Sequence, residues 1–150
     1  MQRSKDVLEK RAQIIRTIRE FFWSQGFIET DTPTLVVSPG MEPHIRPIAT
    51  ENPKVFLPTS PEFAMKKLLA EGFEKIFQIS KAYRNEPKSA THNPEFAMLE
   101  WYRTDAGYEA IMDDVEALFK TIATRHAPER YDHGSPWPRM SVREVFAQFV

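Results

Sequence analysis

Tyr83-Arg84-Asn85-Glu86, then His92-Asn93-Pro94-Glu95-Phe96, then Leu99-Glu100-Trp101-Tyr102-Arg103 gather an arginine, a histidine, aromatic rings and several carboxylates around one polar loop. Strand-like runs lie on either side of that loop, so a hairpin would hold these side chains in place. A strand alternates its side chains between two faces, which puts Met98, Glu100 and Tyr102 together and Arg84 with Glu86. If the two runs pair, an arginine, carboxylates and a phenol share one sheet surface. An arginine against an apolar sheet is costly without an anion beside it. Two explanations stay open on the residues alone. Arg84 and Glu100 pair with each other, as structural ion pairs commonly do. Alternatively, Arg84 and His92 reach phosphate while Phe96 offers its ring to a base, which makes a nucleotide clamp.

The elements around this hairpin follow from periodicity. Val7, Leu8, Ile14, Ile15, Ile18, Phe21 and Phe22 recur at helical spacing from about residue 5 to Gln25, and Gly26 is a helix stop. Phe27-Ile28-Glu29-Thr30-Asp31-Thr32-Pro33 is extended, rich in β-branched residues and closed by proline. Residues 38–54 carry four prolines and a glycine and read as an irregular surface connection. Val55-Phe56-Leu57-Pro58 is a short strand.

Thr59-Ser60-Pro61-Glu62 opens a helix over 62–71, with Ser60 as cap, Pro61 in the first turn and Glu62 at the positive end. That helix buries Phe63, Met65 or the Lys66 stem, Leu68 and Leu69, and ends at Gly72. Strands over 75–83 and 96–103 flank the loop 85–95. A long helix over 108–125 turns Ile111, Val115, Leu118, Phe119 and Ile122 to one side, with Asp113, Asp114 and Glu116 on its wet face. After a polar connection over 127–138, a last helix runs over 141–150, with Ser141 and Glu144 in capping-box spacing. The order is α-β-(β)-α-β-β-α-α, an α+β fold built on an antiparallel sheet flanked by helices.

Composition removes several alternatives. A length of 150 residues predicts one domain, and 20 basic against 21 acidic side chains supply no general field for nucleic acid or an anionic membrane. The absence of cysteine excludes disulfides and thiol chemistry. The start, Met1 to Lys10, has no apolar signal-peptide core, and no run reaches the ~18 apolar residues of a membrane span. A soluble, cytoplasmic protein is expected. His44, His126 and His133 are isolated and lack metal-ligand spacing, and Trp101, opposite in phase to Glu100, is a core residue.

The hairpin resembles motif 2 of the class II aminoacyl-tRNA synthetases, in their lysine-type branch: aromatic-Arg-x-Glu, a loop, His-Asn-Pro-Glu-Phe and a Glu-x-Tyr strand, all present from Tyr83 to Tyr102. Gly26 to Pro33, with the helix before it, is similar to motif 1, and Thr59-Ser60-Pro61-Glu62 to the start of the substrate-recognition helix. The resemblance runs from about Asp6 to Thr124, with motif 1 near 6–33 and motif 2 near 75–103. It implies that 1–150 is the N-terminal part of a catalytic domain, without the glycine-rich motif 3, since the five glycines are scattered.

Within the branch, Thr-Ser-Pro-Glu and Leu-Glu-Trp-Tyr-Arg look like the short paralogues that modify elongation factor P. The lack of a preceding anticodon-binding barrel points the same way. Such ligases adenylate lysine or (R)-β-lysine with ATP and Mg2+ and pass it to a protein lysine. By this resemblance Arg84 is catalytic at the α-phosphate, Glu86 takes the adenine amino group and Phe96 stacks on adenine. Asn85, His92 and Asn93 complete the ATP site. Ser60, Pro61 and Glu62 line the amino-acid pocket, and Glu100 and Tyr102 hold its far end. The Mg2+ ligands belong to the later half of the family's core.

The resemblance implies a homodimer through the first helix and strand, with no membrane role and, for the elongation factor P paralogues, no tRNA. Two alternatives are a non-catalytic synthetase-like binding module and a fragment of a lysyl-tRNA synthetase.

Overall fold

The computed structural model describes residues 4–87, 89–130 and 136–149. In chain order the elements are α1 (Lys5–Ser24), β1 (Ile28–Glu29), β2 (Ile48–Ala49), β3 (Phe56–Leu57), α2 (Glu62–Ala70), β4 (Lys75–Tyr83), β5 (Glu95–Arg103), α3 (Tyr108–His126), a 3-10 turn (Pro128–Arg130) and α4 (Val142–Phe149). The fold is α+β, as the sequence pattern predicts. Two compact units share the chain: Met1–Ile18 with Gly107–Val150, and Arg19–Ala106.

The second unit is organised by aromatic packing. Phe22, fully buried, stacks on Phe77 with centroids 4.7 Å apart. Phe21, Phe27 and Trp101 surround it at 5.2, 5.1 and 5.4 Å. Burial of a phenylalanine of this kind stabilises by about 1.5–3 kcal/mol, and each favourable ring pair adds about 0.5–1.5. Phe77 and Trp101 are direct cross-strand partners. The same face of the β4–β5 ladder therefore packs under the end of α1, where Trp101, half-buried, lies against Phe22 rather than opening to the other face.

β4 and β5 pair antiparallel over nine residues each, from Lys75↔Arg103 to Tyr83↔Glu95. Beyond the last ladder pair, Arg84 N–H donates to the Pro94 carbonyl at 2.9 Å and carries the pairing one step further. On the other side of β4, β1 runs parallel, not antiparallel, with Ile28 opposite Ile76.

Some expectations need correction. Only Ile28–Glu29 of the extended stretch 27–33 forms a ladder. Thr30 N–H still bonds the Phe77 carbonyl, and Gln78 then bonds Thr32 through its side chain. Pro33 brings no N–H to continue the ladder. Residues 38–54 are not wholly irregular, because Ile48–Ala49 pairs antiparallel with Phe56–Leu57. In α2 the buried side chain is Met65, whereas Phe63 is 37% exposed. Pro61 occupies the cap position, and Ser60 Oγ accepts only the Glu62 N–H at 3.2 Å.

The first unit holds a further correction. Asp114 and Glu116 are buried, not on a wet face. The Glu116 carboxylate accepts from Lys120 Nζ at 2.6 Å, from the Trp137 N–H at 3.1 Å and from Arg139 at 3.1 Å, while Arg139 also bonds Asp113 at 2.8 Å. These bonds fasten residues 137–139 to α3, and Trp137 lies against Phe119 at 5.5 Å. At α4 the capping box forms in both directions: Ser141 N–H to Glu144 at 2.6 Å and Glu144 N–H to Ser141 Oγ at 3.2 Å.

Phe22→Ala should remove about 3–5 kcal/mol of stability, read as a lowered denaturant midpoint. A loss under 1 kcal/mol would refute the central place given to this ring. The second expectation concerns acid. Lys120 and the Trp137 N–H hold the Glu116 carboxyl down to about 2, from an ordinary 4.5. A depressed carboxyl contributes stability above its unfolded value and loses it as pH falls through the folded one. The Trp137 amide should therefore stay protected from hydrogen exchange at pH 5 and open as pH falls from ~4.5 towards 2. Opening at neutral pH would rule this fastening out.

Candidate functional site

With Phe77 and Trp101 turned to the core, strand alternation sends the other set of residues to the opposite face. Ile76, Gln78, Ser80 and Ala82 stand there across from Tyr102, Glu100, Met98 and Phe96. Arg84, next in the same phase, lies over the Phe96 ring with its guanidinium carbon 5.2 Å from the centroid. The buried Arg84 Nε has no hydrogen-bond partner. An unanswered buried guanidinium N–H is costly, and an anionic oxygen would answer it. Arg84 and Glu100 lie toward opposite ends of the ladder and do not pair with each other, which settles the ion-pair alternative.

The hairpin tip is held by its own polar side chains. Ser89 Oγ accepts from the N–H groups of Thr91 and His92 at 3.3 and 3.1 Å. His92 Nδ1 lies 3.0 Å from both Ser89 Oγ and Thr91 Oγ1, and its Nε2 is 3.9 Å from Glu86. His92 thus ties the tip towards Glu86. Asn93 is exposed, and the Asn85 N–H is engaged by the Arg46 carbonyl at 2.7 Å.

The other end of the face is acidic. Tyr102 Oη donates to Glu100 at 2.5 Å. Burial raises the Glu100 carboxyl above its ordinary range; the Tyr102 bond opposes this, Glu62 and Glu42 add to it, and Lys66 opposes it. Burial first, and then the Glu100 bond, push the Tyr102 phenol up. Glu62, at the start of α2, pairs with Lys66 at 2.5 Å. Glu62, Lys66, Glu100 and Tyr102 are therefore close enough to act on one another. Carboxylates in such a setting can receive an ammonium group.

Sequence reasoning passed over residues 38–46. The Pro39 carbonyl accepts from Thr59 N–H at 3.1 Å and Thr59 Oγ1 at 2.6 Å, which fixes this segment beside Ser60 and brings Glu42 within electrostatic reach of Glu100. The Pro39-Gly40 turn signal was there to be read, but not what the turn rests on. A groove of about 870 Å³ runs between residues 31–38 and α2, reached by Ser60, Pro61 and Lys66 but not by Arg84, Glu100 or Tyr102. The charged groups converge elsewhere, on the sheet.

Of the histidines, His44 is exposed, His126 lies 2.9 Å from Thr17 Oγ1, and His133 falls outside the described residues. Among the described residues no three metal-ligating side chains converge, and no helix is long and apolar enough to cross a membrane.

Comparison with known proteins bears on the whole arrangement. Residues 1–149 match the family described as tRNA synthetases class II (D, K and N). The chain belongs to that family.

Among relatives of this synthetase domain, the lysine–tRNA ligase of Cronobacter sakazakii is 35% identical over 158 residues, covering 97% of this chain and 31% of the relative. That of Coxiella burnetii is 36% identical, covering 97% and 32%. That of Haemophilus influenzae is 34% identical over 151 residues, covering 93% and 30%. The synthetase domain thus spans about a third of the length of these relatives.

Tyr102→Phe removes the bond that favours ionised Glu100 while leaving the burial that opposes ionisation. The Glu100 carboxyl should therefore titrate higher in the variant, followed by carboxyl-carbon NMR. A lower or unchanged midpoint would contradict this account of the pair.

Proposed function

We propose that this chain is the first part of a lysine-type adenylate-forming ligase. The ligase joins lysine or (R)-β-lysine to AMP and then transfers it to a lysine side chain of elongation factor P. The observation that carries this reading is the single sheet face with a guanidinium whose buried Nε is unanswered at one end and a carboxylate–phenol pair at the other. Phe96 and Glu100 are four residues apart on β5, roughly 13 Å along the strand. An aminoacyl adenylate with a base at one end and an ammonium at the other suits that separation.

The substrate carboxylate attacks the α-phosphorus in line, and pyrophosphate leaves. Arg84 answers the charge that builds on the α-phosphate oxygens, and no covalent enzyme intermediate is required. Glu86 accepts from the adenine amino group, Phe96 stacks on the ring, and Asn85, His92 and Asn93 order the hairpin around ATP. Ser60, Pro61 and Glu62 border the amino-acid pocket, and Glu100 with Tyr102 holds the side-chain ammonium. The acceptor amine then attacks the mixed-anhydride carbonyl and AMP departs. Magnesium would offset charge on the triphosphate; the described residues do not assemble a site for it, so no step here runs through the metal.

The choice of elongation factor P rests on Thr59-Ser60-Pro61-Glu62 and Leu99-Glu100-Trp101-Tyr102-Arg103. Transfer to tRNA is the second reading, favoured by the names of the relatives. Pairing of two copies through α1 and β1 belongs to the same proposal.

Arg84→Ala should weaken ATP binding at least tenfold in calorimetric titration, with circular dichroism unchanged. Glu100→Gln should weaken lysine more than ATP. Unaltered ATP affinity in the first variant, or equal losses in the second, would sink the site. Incubation of the protein with ATP and labelled lysine or (R)-β-lysine separates the acceptors, with label on elongation factor P supporting the first reading and label on tRNA the second.

A further inference from the structure

The tip of the β4–β5 hairpin is organised by one serine. Ser89 N–H donates to the His92 carbonyl at 3.1 Å, and Ser89 Oγ accepts the N–H groups of Thr91 and His92 at 3.3 and 3.1 Å. A short side chain bonded to the backbone two and three residues on closes such a turn locally. The turn leads into Pro94, whose carbonyl accepts the Arg84 N–H at 2.9 Å. His92 is thus set in place two residues before the backbone bond that holds Arg84.

Counting donors and acceptors fixes the next bond. A serine oxygen has two lone pairs and one proton, and the two amides occupy both lone pairs. The remaining proton is directed to His92 Nδ1, 3.0 Å away. Nδ1 then accepts, so in the neutral ring the proton sits on Nε2. Thr91 Oγ1 is also 3.0 Å from Nδ1, but among the described residues no amide N–H orients its hydroxyl. The Nε2 side of the ring faces the Glu86 carboxylate at 3.9 Å, beyond hydrogen-bond reach. One hairpin therefore carries two N–H donors that no acceptor among the described residues takes up, Arg84 Nε on the sheet and His92 Nε2 at the tip.

We propose that Ser89 is a positioning residue of the ATP site: its hydroxyl holds the His92 ring so that Nε2–H is free to meet a phosphate oxygen. This rests on the proposed nucleotide site. Arg84 supplies charge from the sheet, and His92 supplies a directed N–H from the tip. Ser89 touches neither base nor phosphate and acts through the imidazole.

The test is calorimetric titration with ATP and with adenosine. It compares the protein with Ser89→Ala, Ser89→Thr, Thr91→Val, His92→Gln and the combination of Ser89→Ala with His92→Gln. Ser89→Ala should weaken ATP about fivefold, the worth of one hydrogen bond, and leave adenosine unchanged, while Ser89→Thr keeps the affinity. The combined variant should lose no more than His92→Gln alone, because the serine works through the histidine. Additive losses, or equal weakening of ATP and adenosine, would reduce Ser89 to a turn residue and overturn the proposal. So would a larger loss in Thr91→Val than in Ser89→Ala. A readout that needs no ligand is the His92 Nδ1 resonance of the neutral ring in nitrogen NMR. It should move in Ser89→Ala towards that of a ring nitrogen without a donor and return in Ser89→Thr; no movement would refute the bond itself. If the resonance moves but the unmodified protein binds ATP no better than adenosine, the nucleotide reading fails and the inference falls with it.

Discussion

The stacking of Phe22 on Phe77 is the contact on which the rest of the Arg19–Ala106 unit depends. It decides which face of the β4–β5 ladder is core, and strand alternation then leaves no freedom over the other face. Arg84, Phe96, Glu100 and Tyr102 are co-facial because Phe77 is buried and Trp101 packs against Phe22 on the other side. A slip of one residue in either strand would exchange the two sets and bury a carboxylate where a ring belongs. The apolar side of the sheet thus enforces the polar side, and the chemistry inherits its register from packing it never touches.

The hairpin was legible because its determinants are local. Two alternating runs joined by a loop with Asn, Pro and Ser predict paired strands, and the ladder follows the predicted limits within a residue. The capping box at Ser141 and Glu144 was legible for the same reason. What stayed hidden depends on partners distant in sequence. Glu116 read as part of a solvated face because nothing near it announces that Arg139 and the Trp137 N–H will fold back onto α3. Residues 38–54 carry the composition of a connection, and composition says nothing of what a connection leans on. Phe63 failed differently, since periodicity marks it apolar but Met65 takes the buried position on α2.

The family was legible from motif order, and the match over nearly the whole chain agrees. The substrate and acceptor are a finer matter, since lysine isomers and alternative acceptors differ in geometry more than in the residue types they demand.

The guanidinium of Arg84 on the ring of Phe96 carries one more consequence. In the proposed nucleotide site these are the two groups that a base and a phosphate would each seek, and here they engage each other. A base sliding onto that face of the ring must exchange places with the arginine, and the released arginine has a phosphate waiting only if the newcomer brings one. Recognition of the two halves of a nucleotide then becomes one trade of partners. A bare nucleoside would break the stack and strand the cation, and inorganic phosphate would pull the cation away and leave the ring bare.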